Sequence, residues 1–284
     1  MAADPYVLRP LDLDPAGLAK VTALLREVFP EAKHFTEEVI RWQYLENPDG
    51  KAVGYNAWAG EELAGHYVTI PLRVRIHGQE ERCLLSLNTA THPAHRGKGL
   101  FTRLAMATYQ DAARAGYGSV VGVANANSAP GFTGKLGFLS VGPLRAMVGV
   151  GPIPFRKREM VLGLVPIHSA EKLAWRVAHP VYRYSMAEQD GHTLILSQRT
   201  MKGARFLLHA GKETPKGLPL ETPPRVKAFI GLDPRIDWRG SLYVNVPMRF
   251  RPSPLYFIFK DLTGNGRTLR REEVCFQAFD FDTL

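Results

Sequence analysis

Cysteine is nearly absent: the chain has two in 284 residues, Cys83 and Cys275, far apart and set in strand-like apolar runs. That scarcity excludes a disulfide framework and leaves no cysteine-based zinc spacing, so both are read as reduced core thiols and no metal is expected. Long apolar runs are missing too. The N-terminus lacks the basic start and apolar stretch of a secretory signal, and no later run approaches the ~20 residues that cross a bilayer. A soluble, cytoplasmic protein with no membrane partner is expected. Zinc-finger spacing, a helix-turn-helix signature and an aromatic RNA-binding motif are likewise missing, so no nucleic acid is expected as a partner.

What the chain does have is 45% hydrophobic residues, enough to bury the core of one large domain or two modest ones. Its formal charge of +9 favours anionic partners, among them a small ligand carrying several phosphates. The basic clusters Arg156-Lys157-Arg158, Lys212 to Lys216 and Arg267 to Arg271 are short and read as solvated loops.

The first forty residues read as helical. Asp14 suits a cap, Pro15 the first helical position, and Leu18, Val21, Leu25 and Val28 share a face. A short helix is expected after Thr36. From Tyr55 the period changes to that of strands, with runs 55–59, 63–76 and 82–91 joined by polar turns into an antiparallel meander. A helix follows over 98–115, stopped by Gly116, then a strand over 119–124, a short helix near 132–136 and a strand over 139–146. This order describes a mixed, mainly antiparallel α/β sheet flanked by helices, in which 91–98 and 124–130 leave neighbouring strands; ligands bind at such strand ends. The Gly, Pro and basic residues of 150–158 mark a boundary, giving units 1–149 and 150–284. The second unit is expected to be α/β, with a helix near 169–178, strands at 192–197, 205–209, 226–231, 241–246 and 255–259, and one long loop over 211–224.

The stretch that carries chemistry is Arg96-Gly97-Lys98-Gly99-Leu100-Phe101, between a strand and a helix. Gly97 and Gly99 allow several backbone N–H groups to converge at the positive end of a helix dipole, and Arg96 and Lys98 add cationic charge; together these suit a diphosphate. Residues 91–104 resemble the CoA-binding motif of the GNAT acetyltransferase superfamily, with Arg96, Gly99 and Phe101 at its key positions. Phe101 departs from the small residue expected there, although a backbone donor survives the change. Asn127-Ser128-Ala129-Pro130-Gly131-Phe132-Thr133-Gly134-Lys135-Leu136-Gly137-Phe138 is similar to a later motif of the same family, and Arg41 to Gly50 with Gly65-His66-Tyr67 resembles the start of one subgroup. Members of that subgroup carry a second, degenerate GNAT-like unit, which the resemblance extends to 150–284 only in outline.

The resemblance implies a GNAT-like fold and acetyl-CoA as co-substrate, held by Ala90, Thr91, His92, Arg96, Gly97, Lys98, Gly99, Leu100, Phe101, Thr102, Asn127 and Phe132. It also implies direct attack by the amine of a small-molecule acceptor on the thioester, with backbone donors from Asn88 to Thr91 toward the thioester oxygen. The family's Tyr, which protonates the departing thiolate, corresponds to Thr133. For the base, His66 is the candidate, because imidazole titrates near neutrality and the residue lies in the central meander; His92 could instead support the loop and Glu46 could face the acceptor. Core packing for Phe132 and turn chemistry for Asn127 stand beside their cofactor roles. Three functions stay open: an N-acetyltransferase acting on a primary amine or amino sugar, a longer-chain N-acyltransferase, and a noncatalytic acyl-CoA-binding module. Residues 150–284 are expected to shape the acceptor site.

Overall fold

The computed structural model describes residues 4–201 and 203–281, apart from the side chains of 199–201. Strand β1 (Tyr6–Pro10) precedes α1 (Pro15–Val28) and α2 (Glu37–Leu45). Both helices start as their sequences dictate: the Asp14 carboxylate accepts from the Gly17 N–H at 2.6 Å, and the Thr36 hydroxyl oxygen accepts from Val39 N–H at 3.2 Å. The meander follows as β2 (Val53–Ala59), β3 (Glu62–Ile76) and β4 (Gln79–Thr91), then α3 (Leu100–Arg114), β5 (Ser119–Asn125), α4 (Ala129–Lys135) and β6 (Leu139–Pro143). The remainder runs β7 (Arg145–Val150), β8 (Leu164–Pro166), α5 (Ala170–Val177), β9 (Tyr184–Gln189), β10 (His192–Met201), β11 (Ala204–Gly211), β12 (Val226–Leu232), β13 (Tyr243–Asn245), β14 (Leu255–Asp261) and β15 (Phe276–Gln277).

Two mixed, mainly antiparallel sheets result, so the fold is α/β. The first has the order β1-β2-β3-β4-β5-β14-β6 with β8 on β3, and the second β13-β7-β12-β11-β10-β9 with β15 on β12. The sheets exchange strands across the 149/150 division. β7, from the first unit, lies in the second sheet, while β14, from the far end of the chain, sits antiparallel between β5 and β6. Phe257, Ile258 and Phe259 of β14 are all buried, as a strand covered on both faces requires. Ile258 joins the core under α3, and Phe257 and Phe259 join the core under α1 and α2.

Two expectations change and one edge strand is added. Residues 6–10 form a strand rather than helix; β1 is an edge strand whose residues are largely solvated, so no apolar alternation betrays it. The single strand expected over 139–146 is two, parted at Leu144, each joining a different sheet. β9, unread in the sequence, edges the second sheet. Among the described residues no helix is long and apolar enough to cross a membrane.

Candidate active site

β4 delivers the chain to the loop of residues 96–101. Thr91 still pairs with Gly65, His92 N–H donates to Ala64 O at 3.0 Å, and a single 3-10 turn over Pro93–His95 leads to Arg96. Gly97 and Gly99 then take φ of +75° and +72°, left-handed backbone that strains any residue with a Cβ. A Cβ at either would meet nothing within 4 Å, so their conformation and not crowding demands glycine, and the space before them is open. The N–H groups of residues 97–102 have no acceptor among the described residues, and they face the positive end of α3. Arg96 and Lys98 are exposed beside them. Six backbone donors, a helix dipole and two cations in one turn can bind a diphosphate.

The other residues expected at this site serve it differently. Leu100 and Ala90 are buried, so only their backbone groups can reach a ligand. The Phe101 ring lies 5.1 Å from that of Phe132 and 6.1 Å from that of Tyr67, and a Cβ on Gly131 would stand 3.1 Å from its edge. It thus fills the seam between α3 and α4 while its N–H stays in the loop. Phe132 packs in turn on Phe138 at 5.1 Å and is a core residue. Asn127 is exposed; its N–H and that of Ser128 donate to Asn125 Oδ1 in an Asx turn ahead of α4. Thr102 is half-buried in the first turn of α3.

Next to the loop, β4 leaves its neighbours. Its parallel pairing with β5 ends at Ser86 and Gly122, and its register with β3 shifts between His66 and Val68, leaving Asn88 and Thr89 opposite Tyr67. Asn88 adopts φ +45° in this bulge. Past Ser86 the edge of β4 toward β5 carries no ladder bonds, so its backbone groups are available to an extended ligand. A cleft of about 210 Å³ opens there, lined by Leu87, Asn88, Val123, Gln43, His34 and Phe281. Asn88 Nδ2 donates to Gln43 Oε1 at 2.6 Å and to the Tyr44 hydroxyl at 3.2 Å.

His66 is fully buried and does not line the cleft. Its Nδ1 lies 2.7 Å from Asn56 Oδ1, an acceptor, so Nδ1 carries the proton; Nε2 then accepts from the Tyr44 hydroxyl at 3.0 Å. Burial lowers its pKa to about 3 and raises that of Tyr44, so both are neutral. His66 reaches the cleft only through Tyr44 and Asn88. The Thr133 hydroxyl donates to Ala129 O at 3.0 Å within α4. α4 packs on the α3 face of the sheet, whereas the His66 ring stacks on Tyr44 of α2 on the other, so the two are not brought together. Glu46 is ion-paired to Arg41 at 3.0 Å on the surface.

On the α3 face a second hydroxyl chain, missed in the sequence, ends where β4 and β5 part. The Tyr67 hydroxyl bonds Ser86 Oγ at 2.8 Å and also the Tyr109 hydroxyl. Burial pushes the Tyr67 pKa up to about 12, which keeps it protonated as a hydrogen-bond donor. Tyr109 is 42 residues from Tyr67 in sequence, and the packing of α3 on β3 makes the chain visible.

The profile of the Acetyltransferase (GNAT) domain family matches residues 12–140. No curated protein sequence matches the chain. Among solved structures it is similar to a conserved protein of unknown function and probable N-acyltransferase from Enterococcus faecalis V583, at 12% identity and a TM-score of 0.61, over 90% of this chain and 73% of that one. It is also similar to a GCN5-related N-acetyltransferase from Anabaena variabilis, at 11% and 0.62 over 90% and 73%. N-myristoyltransferase from Saccharomyces cerevisiae, solved with bound myristoylCoA, matches at 11% and 0.56 over 91% and 83%. At such identities the likeness is one of fold, and it runs across both sheets.

Proposed function

We propose that this chain, whose residues 12–140 match the Acetyltransferase (GNAT) domain family, is a GNAT-type acyltransferase that moves an acetyl group from acetyl-CoA to the primary amine of a small molecule or amino sugar. One observation carries the reading: the left-handed Gly97 and Gly99, with six N–H groups that have no acceptor among the described residues, follow the end of β4, the strand whose edge toward β5 is free past Ser86. The loop suits the pyrophosphate of CoA, and the free edge of β4 suits an extended pantetheine arm whose thioester ends near Asn88. The amine lone pair attacks the thioester carbon, a C–N bond forms, and the oxyanion is met by backbone N–H groups of the bulge. The C–S bond then breaks, the thiolate takes up a proton, and the amine nitrogen loses one. Alignment of two substrates and oxyanion stabilisation supply most of the acceleration, because direct attack by the amine requires no protein nucleophile.

His66 is poorly suited to take the amine proton directly, being buried, neutral and bonded through both nitrogens; in this reading it holds Tyr44, and so Asn88, in place. Thr133, bonded to the α4 backbone, is equally poorly suited to protonate the thiolate, which leaves that step to water in the cleft. A longer-chain N-acyltransferase is the second reading, favoured by the fold shared with the yeast enzyme bound to myristoylCoA.

Calorimetry with acetyl-CoA, wild type beside Gly99→Glu, tests the proposal. Saturable binding lost in the variant, followed by thiol release with a panel of primary amines, is the expected result. A folded wild type that binds no acetyl-CoA would overturn it, tighter binding of myristoyl-CoA would favour the second reading, and binding without turnover would leave a noncatalytic module.

A further inference from the structure

Just ahead of the phosphate loop, three separate segments aim their side chains at one point. Glu27 comes from the end of α1, Glu62 from the start of β3, and His92 and His95 from the two ends of the 3-10 turn. The ligand atoms of Glu62, His92 and His95 all lie within 4.8 Å of one another. His92 Nε2 is 2.8 Å from Glu27 Oε1 and 3.6 Å from Glu62 Oε1, and His95 Nε2 is 3.2 Å from Glu62 Oε2. We propose that these four residues form a binding site for a divalent transition-metal cation of the zinc type, which fastens the turn before the phosphate loop to α1 and β3.

Geometry comes first. Four ligands at the ~2.0–2.1 Å bond lengths of nitrogen and oxygen donors around tetrahedral zinc stand about 3.3 Å apart. The printed contacts of 2.8, 3.2 and 3.6 Å straddle that value; Glu62, His92 and His95 already converge, and Glu27, which contacts the cluster through His92, turns toward the other two on loading. Two imidazoles with two carboxylates are a donor set that suits zinc and its neighbours rather than calcium or magnesium. Charge agrees: two carboxylates bring −2 to the cluster, and neither pairs with a Lys or Arg among the described residues. A divalent cation neutralises them exactly where they converge.

The surroundings support the same role. His92 and His95 keep 20% and 16% of their side-chain surface, whereas Glu27 and Glu62 keep about half, which gives a sheltered floor with an open entry. The Tyr6 hydroxyl lies 3.0 Å from His95 Nδ1 and can accept its proton, turning the Nε2 lone pair toward the ion. His92 Nδ1 now accepts a long, 3.3 Å bond from Ala94 N–H. Loading moves the His92 proton from Nε2 to Nδ1 and gives up that weak contact. Pro93 fixes the turn between the two imidazoles, so little backbone order is lost on binding.

The test is independent of acyl transfer. Full-length, tag-free protein stripped with a chelator is titrated with ZnCl₂ by calorimetry and with Co²⁺ in an absorption cell. One saturable equivalent, visible-range cobalt bands of a tetrahedral site and a Tm raised by added zinc are expected. His92→Ala/His95→Ala should lose more than the roughly 10–100-fold in affinity typical of removing a partner behind a metal ligand. Glu62→Gln, which keeps shape and hydrogen bonding, should weaken binding in the same direction, and metal-free melts of all variants control for folding. Absence of saturable zinc binding by the wild type overturns the proposal. So does a double variant, folded as the wild type, that binds zinc equally well.

Discussion

Gly99 shows how one residue's backbone conformation can matter where its packing does not. Its φ of +72° makes an L side chain strained, but the Cβ would touch nothing. Gly99→Ala should therefore lower stability by only about 1–2 kcal/mol in urea denaturation, whereas Gly99→Glu should also remove acyl-CoA binding. The loop was legible in the sequence because its chemistry is local: two glycines, two cations and a following helix stand within one turn. The state of His66 was not, because it depends on Asn56 and Tyr44, brought in by other elements. His209 shares its lowered pKa, since burial brings it to about 3 as well, although both its ring nitrogens lack hydrogen-bond partners among the described residues. Both histidines titrate near 6.5 once unfolded, so between about pH 3 and 6.5 the unfolded chain holds more protons than the folded one. Their neutral burial costs nothing above that window and weighs progressively more as pH falls through it. Melting temperature should drop from pH 6.5 to 4, and His209→Gln should flatten that slope; an unchanged slope would mean His209 does not contribute.

At the scale of elements, α2 and α5 are joined by a reciprocal device. Trp42 and Trp175 stack at 4.4 Å with their planes 13° apart, and each indole N–H donates to the other's carbonyl at 3.1 Å. Trp175→Phe keeps an aromatic ring but removes one of the two bonds to the Trp42 carbonyl, which retains that from Glu46 N–H at 3.3 Å, and should cost about 0.5–1.5 kcal/mol by chemical denaturation. One turn earlier on α5, buried Lys172 pairs with Asp49 at 2.8 Å and donates to Asn47 Oδ1 at 2.7 Å, and burial lowers its pKa to about 8. Lys172→Met strands the Asp49 charge and should cost about 3–5 kcal/mol by the same measurement. Neither link is readable in a linear sequence, because tryptophan and lysine at helical spacing look like ordinary core and surface. Caps were readable: Asp14 and Thr36 start their helices as their chemistry requires. Strand membership was less so: 139–146 reads as one strand although Gly142 and Pro143 fall inside it, and the sheets reveal the change of partner at Leu144.

Over the whole molecule the two halves of the sequence are not two halves of the structure. Residues 1–149 carry the GNAT match and the phosphate loop, but their sheet is completed by β14 from the other end. Lys260 of β14 donates to Leu136 O at the end of α4 at 2.7 Å, and Arg267 pairs with Asp261 at 2.9 Å and with Glu81 of β4. A chain cut after residue 149 should therefore lack a cooperative thermal transition by circular dichroism, and a sharp two-state melt would show that the sheet closes without β14. The boundary in composition near residue 150 was real in the sequence, but pairing over such a separation leaves no trace in local pattern. The same strand exchange sets a schedule for biosynthesis. β5 and β6 leave the ribosome long before β14, and at roughly 5–20 residues per second the gap between them stays open on the order of ten seconds. Throughout that interval the nascent chain displays two unpaired apolar strand edges, the surface that chaperones grip and aggregates recruit.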